Sequence, residues 1–269
     1  MAEQQPAKSS TPDQGGFHLV KPREAFYSQD VTGEDGAGRT WLIKACKVVI
    51  PPLCRLLYKL EVRGKENIPP REEGPVVFVG NHVSYMDPVV LWVAAQPRKP
   101  RFLARSNLWR IPIFGGLLCR IGAIPVDPES ADLKAVKTAA AALKRGEDVG
   151  IFAEGTRMRT PDKVYKPHAG FVLIANMGKA KVVPVGITGA DRIKPHDQKG
   201  LHFPKITVSF GQAIDLAAYR ELPKAERTDA IVADVMREVF ALRDAADPAP
   251  IRPGLPPYGQ VDPKYLEAR

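Results

Sequence analysis

The chain has 269 residues, of which 44% are hydrophobic, so it is long enough to bury the core of one large domain. Its formal net charge of +9 predicts an anionic partner, such as nucleic acid, an acidic membrane surface or a phosphorylated substrate. Aromatic residues are only 7% of the chain and do not alternate with basic ones, so we expect no nucleic acid as partner. The three cysteines have no metal-ligand spacing, and neither a secretory signal nor an apolar run of about 18 residues is evident. These features predict a reduced, intracellular protein without a transmembrane helix.

The first part of the chain divides into a polar segment and a basic, amphipathic segment. Residues 1–39 are rich in small polar and acidic residues, which predicts a disordered tail. Residues 40–64 predict two short helices that Pro51 and Pro52 separate. After the prolines, four leucines at helical spacing form an apolar stripe: Leu53, Leu56, Leu57 and Leu60. Because the segment also holds five basic residues and one acidic residue, it is typical of helices that dock on an anionic membrane. The alternative is that the stripe packs on the domain's own core.

From residue 65 to residue 246, short apolar strands alternate with helical patterns. This alternation predicts an α/β domain with a mixed, largely parallel central sheet flanked by helices. The predicted strands are Val76–Val79, Arg101–Ala104, Ala123–Val126, Asp148–Ala153, Val182–Thr188 and Ile206–Phe210. The predicted helices lie near Val89–Ala95, Leu108–Arg120, Ala131–Arg145, Phe171–Met177 and Glu226–Ala245, with Ser130 as N-cap of the third. Residues 247–269 are rich in proline and polar residues, which predicts an irregular tail.

A histidine and an aspartate five residues apart follow the first of these strands. Asp87 and Pro88 predict the start of a helix, with Asp87 as N-cap and Pro88 at the first helical position. His82 is therefore expected on a strand-to-helix loop, where Asp87 can accept a hydrogen bond from one of its ring nitrogens. Such a bond would set the tautomer of His82 and leave its other nitrogen as a general base. The alternative is that Asp87 only caps the helix and that His82 is an ordinary loop residue.

A second polar loop, Glu154-Gly155-Thr156-Arg157, follows the strand Asp148–Ala153. Gly155 allows a tight turn or the close approach of a ligand, and the planar guanidinium of Arg157 suits a phosphate. Glu154 suits two roles, orienting Arg157 or bonding a substrate hydroxyl. A solvated surface loop with a Glu–Arg pair is the alternative.

Two further strands carry unusual patterns. Pro184 interrupts the apolar strand Val182–Thr188, which predicts a sheet edge, a bulge or another special backbone position. Simple core packing is the alternative for most residues of this strand. Residues 122–127, Gly-Ala-Ile-Pro-Val-Asp, predict another strand that ends near polar residues.

Together and in this order, the four blocks resemble the glycerolipid acyltransferase family, whose bacterial members include the 1-acylglycerol-3-phosphate (lysophosphatidic acid) acyltransferases. The resemblance covers roughly residues 60–215. Three family blocks match well: His-x4-Asp at His82 to Asp87, Glu-Gly-Thr-Arg at Glu154 to Arg157, and Val-Pro-Val at Val183 to Val185. The Gly-x-Ile-x-x-Asp-Arg block matches only in part, because Pro128 follows Asp127 where the family has arginine. Four basic residues are candidates to replace that charge: Lys134, Lys137, Arg159 and Lys166.

The resemblance implies an acyltransferase that uses acyl-CoA or acyl-carrier protein as donor and needs neither a cofactor nor a metal. His82, oriented by Asp87, would remove a proton from an acceptor hydroxyl, and Arg157 would bind the acceptor phosphate. The implied substrate-binding residues are Asn81, Glu154, Gly155, Thr156 and Arg157. Val183, Pro184 and Val185 would form either part of an oxyanion site or a core strand.

The acceptor that the resemblance implies is a lysophospholipid, 1-acylglycerol-3-phosphate. Acylation of its sn-2 hydroxyl would give phosphatidic acid for phospholipid biosynthesis. The enzyme is then expected on the cytoplasmic side of the plasma membrane, as a peripheral or monotopic protein. Pro128 keeps other acceptors open, namely glycerol 3-phosphate, another lysophospholipid or an amino-acid lipid. A basic membrane-binding protein with a dead site is a further alternative, against which the intact His82 and Asp87 argue.

Overall fold

A seven-stranded mixed sheet forms the centre of the part that the computed structural model describes, residues 40–111, 115, 117–118, 121–127, 132–157, 164–165, 167–194, 200–247 and 260–261. Its strands are β1 (Glu61–Arg63), β2 (Val76–Gly80), β3 (Arg101–Arg105), β4 (Ile124–Val126), β5 (Val149–Phe152), β7 (Lys181–Thr188) and β8 (Thr207–Phe210). A separate pair consists of β6 (Val164–Tyr165) and β9 (Gln260–Val261). The strand order is β1-β8-β7-β2-β5-β3-β4, and within this sheet β7 and β8 form the antiparallel pair. The predicted mixed, largely parallel sheet is thus confirmed.

Helices cover both faces of this sheet: α1 (Thr40–Tyr58), α2 (Asp87–Ala94), α3 (Leu133–Lys144), α4 (Gly170–Gly178) and α5 (Lys224–Ala246). The side chains of β2 alternate between the two layers. Val76 and Phe78 pack with residues of α2 on one face, whereas Val77 and Val79 pack with residues of α3, α4 and α5 on the other. All five residues of β2 are buried, as expected for a central strand between two helical layers. The loop that carries His82 therefore begins at the end of a core strand.

Buried ionic contacts fix β2 and β5 relative to each other at their amino ends. Asp148, directly before β5, accepts hydrogen bonds from the backbone N–H of Val76 at 3.0 Å and from Arg98 at 2.5 Å. Arg98 also donates to the carbonyl oxygens of Pro69, Pro70 and Gly74, so this buried guanidinium is well satisfied. The register of β2 against β5 follows from these contacts.

Most predicted strands occur with shifts of one or two residues at their ends, but β1 was missed. Glu61–Arg63 pairs in parallel with β8, and three residues are too few to show a period in the sequence. The predicted helix Leu108–Arg120 is described only in part, as the 3-10 helix Ser106–Arg110 and helical residues at 115, 117 and 118.

The third predicted helix begins later than expected. Asp132 is the N-cap of α3 and accepts a hydrogen bond from the backbone N–H of Ala135 at 2.9 Å. The prediction of Ser130 as N-cap is therefore wrong. Serine and aspartate are both good caps. Here Asp132 is the cap, because its carboxylate reaches the N–H of the third helical residue.

The first helix differs from the prediction in its continuity. α1 runs through Pro51 and Pro52, so the predicted break is wrong. A proline removes one backbone donor, but the residues on either side keep theirs and the helix continues. Tyr58 packs against the core and Cys54 is buried. Among the residues of α1 whose side chains are described, Val48, Val49, Leu53 and Leu56 are large, apolar and exposed. Among the described residues, none of the helices has the length and apolar character needed to cross a membrane.

Pro184 lies in an interior strand, because β7 has β2 on one side and β8 on the other. The sheet-edge option is therefore wrong. β7 pairs regularly with β8 as far back as Val185, which lies opposite Phe210. The next pair on this side is Val182 opposite Ile214. Between these points the carbonyl of Pro184 accepts a hydrogen bond from Gly211, and the missing proline N–H falls where the ladder is interrupted. The bulge option agrees with this geometry.

The two predicted tails are described only in small part. Residues 1–39 lie outside the described residues. In the segment 247–269, which was predicted to be irregular, Gln260–Val261 pairs in parallel with Val164–Tyr165. A two-residue strand between proline-rich stretches leaves no pattern that a sequence reveals.

Candidate active site

The carboxyl ends of three neighbouring parallel strands meet at one edge of the sheet. Gly80 at the end of β2 is level with Phe152 of β5 and with Val185 of β7. His82 follows β2 and Glu154 follows β5, so both loops start side by side. This edge is where parallel α/β sheets usually place their ligands.

The predicted pair of His82 and Asp87 is present. Nδ1 of His82 lies 2.8 Å from Oδ2 of Asp87, and the Asp87 carboxylate is fully buried. The same oxygen accepts hydrogen bonds from the backbone N–H groups of Val83 and Ser84, each at 2.7 Å. Because the carboxylate accepts, we assign the proton of the neutral imidazole to Nδ1, which leaves the lone pair of Nε2 for a substrate proton. The arrangement suits a general base.

Asp87 does not cap α2 in the predicted way. The helix begins at Asp87 itself, and Met86 is the N-cap residue. The carboxylate turns back to the N–H groups of the loop that precedes the helix, where it also meets His82. The prediction of Asp87 as the N-cap is thus wrong. Its carboxylate instead holds together the short loop between β2 and α2.

The imidazole of His82 is the first of three stacked rings, followed by Phe152 and Phe102. The ring of Phe152 stacks on it with centroids 4.4 Å apart and planes 18° apart, and Phe102 stacks on Phe152 at 5.9 Å. Sequence analysis missed Phe152 as a site residue. Its position directly before Ala153 and Glu154 in an apolar strand looks like core packing, and only the register with β2 places it under His82.

Asn81 was predicted to bind substrate, but the structure gives its side chain a different contact. Its amide donates to the carbonyl of Ile187 at 2.9 Å and accepts from the N–H of the same residue at 2.8 Å. The residue is only 1% exposed. Asn81 thus anchors the loop of His82 to β7, and a contact between Asn81 and substrate stays a prediction.

Glu154 supports the same loop from the other side. Its Oε2 accepts a hydrogen bond from the backbone N–H of His82 at 2.9 Å, and the residue is only 7% exposed. Burial raises the pKa of the Glu154 carboxyl well above its usual range, and Asp87 adds to the rise, whereas the N–H of His82 lowers it. A contact between Glu154 and substrate stays a prediction.

Gly155 is required at its position. Its φ is +63°, in the left-handed region, and a Cβ there would lie 2.7 Å from the ring of His168. Its carbonyl accepts a hydrogen bond from Arg105 at 3.3 Å, and Arg105 is the last residue of β3. Thr156 is half-buried in the same turn. The loop after β5 therefore adjoins two basic side chains, those of Arg105 and His168, and the sequence analysis missed Arg105.

Arg157 contacts a residue of the first loop. Its guanidinium carbon lies 3.5 Å from the centroid of the Tyr85 ring, which is 64% exposed. Tyr85 occupies one of the unspecified positions between His82 and Asp87, so no motif drew attention to it. The two loops thus meet both at the base of the site, through Glu154, and at its surface.

The remaining predicted residues have less direct placements. Val183, Pro184 and Val185 are buried in the interior strand β7, as the core-strand alternative predicts, and the oxyanion role stays a prediction. Lys134 and Lys137 are exposed on α3, while Pro128, Arg159 and Lys166 lie outside the described residues. Arg105 is level with Val126, two residues before Pro128.

Comparisons with known proteins identify the family of the chain. The family model described as Acyltransferase matches residues 59–188. The 1-acyl-sn-glycerol-3-phosphate acyltransferase of Bacillus subtilis is 30% identical over 206 residues, which are 77% of this chain and 99% of that protein. The protein of the same name from Streptococcus pneumoniae is 30% identical over 155 residues, 57% of this chain and 55% of that protein.

A solved structure supports the fold. The 1-acyl-sn-glycerophosphate (LPA) acyltransferase PlsC from Thermotoga maritima has 24% identity and a TM-score of 0.58, and the match covers 76% of this chain and 81% of that one. The His-x4-Asp and Glu-Gly-Thr-Arg blocks lie together at one edge of the sheet, where Val185 is level with Gly80. The chain belongs to the acyltransferase family and is an enzyme of that family.

Proposed function

We propose that this acyltransferase moves a fatty acyl group from acyl-CoA or acyl-carrier protein to the sn-2 hydroxyl of 1-acylglycerol-3-phosphate, giving phosphatidic acid. The observation that carries the proposal is the His82–Asp87 hydrogen bond beside the cationic loop of Arg157. A base and a phosphate-binding cation are the two groups that this acceptor needs. The names of the relatives support the choice of acceptor.

The proposed reaction proceeds by direct transfer. Nε2 of His82 takes the proton of the acceptor hydroxyl as its oxygen attacks the thioester carbonyl. The tetrahedral oxyanion then collapses, the C–S bond breaks, and the proton on His82 passes to the leaving thiolate. Asp87 holds the imidazole in place and stabilises its positive charge during both steps.

The acceptor phosphate is proposed to bind at the basic loop after β5. Arg157 provides planar donors, and Arg105 reaches this loop through its hydrogen bond to the Gly155 carbonyl. Arg105 ends the strand next to β4, the strand after which the family has the arginine that is Pro128 here. We therefore propose that Arg105 supplies part of the missing charge, ahead of the lysines of α3.

Replacing Arg157 with lysine is expected to raise the KM for 1-acylglycerol-3-phosphate about tenfold, since lysine keeps the charge but loses the paired donors of the guanidinium. Steady-state kinetics with each substrate varied in turn provide the measurement. The KM for the acyl thioester should change little. Lys144→Arg, an exposed basic exchange on α3 near the amino edge of the sheet, is the matched control. A rise confined to the thioester KM would assign Arg157 to the phosphates of the donor instead.

The acceptor and product are lipids, so we also propose that α1 docks the enzyme on an anionic membrane, on the cytoplasmic side of the plasma membrane. The carbonyl of Tyr58, at the end of α1, accepts a hydrogen bond from Ile206, just before β8. β8 begins opposite Thr188, at the carboxyl end of β7, and this is the sheet edge that carries His82. The exposed side chains of Leu201 and Phe203 precede β8 at the same edge. Apolar side chains and the proposed base would thus face one surface.

Reversing two charges of this segment, Arg55→Glu with Lys59→Glu, is expected to weaken binding to anionic vesicles strongly. Each basic residue near an anionic leaflet contributes about 1 kcal/mol, a term that salt screens, whereas the exposed leucines add an apolar term that salt does not weaken. Co-sedimentation of the wild type should therefore fall as salt rises without vanishing. The control is Lys144→Glu with Lys179→Glu, the same charge change at the amino edge of the sheet. Equal losses in both double variants would show that only net charge matters.

Incubation with labelled acyl-CoA or acyl-carrier protein and a panel of acceptors tests the proposed function itself. The panel contains 1-acylglycerol-3-phosphate, glycerol 3-phosphate, other lysophospholipids and an amino-acid lipid. The highest kcat/KM is expected for 1-acylglycerol-3-phosphate. A higher kcat/KM for another acceptor would make that compound the acceptor, and turnover of none of them would refute the proposed function.

A further inference from the structure

The contact between Tyr85 and Arg157 joins two parts of the site that are far apart in the chain. Tyr85 belongs to the loop of His82, and Arg157 to the loop after β5. The guanidinium carbon stands 3.5 Å from the ring centroid, well inside the range of a cation–π contact. Glu154 already connects the two loops beneath His82, so this second contact fixes their relative position at the surface.

The loop that presents Tyr85 is held by its own backbone contacts. Val83 and Ser84 donate to Asp87, the N–H of Met86 donates to the hydroxyl of Ser84 at 3.3 Å, and the N–H of Asp87 donates to the carbonyl of Ser84 at 3.3 Å. These bonds surround Tyr85 on both sides. The ring is therefore attached to the same short, ordered turn as the imidazole of His82.

The geometry of the contact suits a cation that must bind an anion. With the guanidinium carbon 3.5 Å from the centroid, no N–H group has room to point at the ring. The ring must therefore contact the face of the guanidinium, whose N–H groups all point outward in its plane. An aromatic ring thus holds the group without competing for the directions in which it donates hydrogen bonds. A carboxylate in the same place would hold Arg157 but would occupy those directions.

We propose that Tyr85 is a positioning residue that sets the distance between the base, His82, and the phosphate-binding guanidinium of Arg157. This inference rests on the proposed function. In 1-acylglycerol-3-phosphate the attacked hydroxyl and the phosphate are on adjacent carbon atoms, so their separation is short and nearly constant. A base and a cation held by one ordered turn match such an acceptor and disfavour those with the hydroxyl further from the anion.

A double-mutant cycle on the full chain tests the proposal. Tyr85→Ala is expected to lower kcat/KM for 1-acylglycerol-3-phosphate by about 2- to 30-fold, the range that a cation–π contact supports, chiefly through the KM of the acceptor. The KM of the acyl thioester should not change. Tyr85→Phe, which keeps the ring face, should restore the acceptor KM, and Tyr85→Leu should not. In an Arg157→Ala background, Tyr85→Ala should have no further effect.

Each other outcome overturns the proposal. Equal values for Tyr85→Leu and Tyr85→Phe would mean that the exposed ring serves only as an apolar contact, for example with lipid. Additive effects of Tyr85→Ala and Arg157→Ala would mean that the two residues act independently. A shift in the thioester KM alone would place both residues at the donor.

The same cycle on the urea midpoints separates this proposal from the proposed function. In the urea midpoints, coupling between Tyr85→Ala and Arg157→Ala is expected whichever acceptor the enzyme prefers, because the two residues are in contact without substrate. If 1-acylglycerol-3-phosphate is not the preferred acceptor, the kinetic cycle is repeated with the one that is. The positioning role is overturned if the two substitutions are coupled in the urea midpoint but not in kcat/KM for any acceptor. It is also overturned if no acceptor is turned over.

Discussion

Replacing His82 with alanine is expected to lower kcat by roughly 100- to 10,000-fold, the usual range for loss of a general base. The reason lies in the two ring nitrogens. Nδ1 is bonded to Asp87 at 2.8 Å, and Nε2 is then the nitrogen that can take a proton from the acceptor. Alanine removes both, and no neighbouring group in the described loop is placed to act in the same way. Residual turnover would come from binding and orientation of the two substrates.

The measurement is single-turnover acyl transfer at saturating concentrations of both substrates, which isolates the chemical step from product release. Circular dichroism and a urea midpoint show whether the variant is folded, since Phe152 loses its stacked partner. His202→Ala is the matched control, because the His202 side chain is exposed and the backbone N–H of this residue, which alanine keeps, donates to the carbonyl of Ile193. A folded His82→Ala protein with near-normal turnover would exclude His82 as the base.

Replacing Asp87 with asparagine is expected to cost about 100-fold or more in kcat, as for the aspartate of a Ser-His-Asp triad. Oδ2 of Asp87 receives three contacts, from the His82 ring and from the N–H groups of Val83 and Ser84. An asparagine oxygen can accept those bonds but carries no charge to stabilise the imidazolium. If the amide nitrogen takes that place instead, donor faces donor and the loop is disrupted.

The kinetic assay is the same as for His82, with stability measured in parallel because the loop itself depends on Asp87. Asp215→Asn provides the matched carboxylate-to-amide control. Asp215 accepts a hydrogen bond from the N–H of Ala217 at 2.8 Å, far along the chain from the site, and asparagine is an equally good cap there. We expect Asp215→Asn to retain full activity. Turnover within a few-fold of wild type for folded Asp87→Asn would reduce Asp87 to a structural residue.

The sequence predicted the parts of the site that depend on local geometry. His82 and Asp87 are five residues apart, and a single turn between a strand and a helix brings them together. Gly155 is likewise a local requirement, since its backbone is left-handed. The His82–Glu154 bond and the Tyr85–Arg157 contact were not predicted, because each joins residues about 72 positions apart. Both contacts follow from the pairing of Gly80 with Phe152, a register that no motif encodes.

The predicted fold was wrong where long-range packing overrode a local sequence rule. Two adjacent prolines predicted a break in α1, but the helix packs against the core at Tyr58 and continues through them. Pro184 predicted a sheet edge among other options, yet an interruption of the neighbouring ladder accommodates it inside the sheet. The contact of Asn81 with the backbone of Ile187, 106 residues away, also depends on long-range packing and leaves no local signal in the sequence.

The central place of β2 also determines when the enzyme can first become active during its synthesis. His82 emerges from the ribosome early. Ile187, the residue of β7 that anchors Asn81, follows Asn81 by 106 residues, and Glu154 follows His82 by 72 residues. Parallel strands so far apart in the chain cannot pair until both have been made, and such non-local pairing is slow. A nascent chain that ends before β7 therefore contains every residue of the proposed base and phosphate site without the anchor that aligns them. We therefore expect chains that end before β7 to lack acyl-transfer activity, because the loop of His82 has no anchor in them.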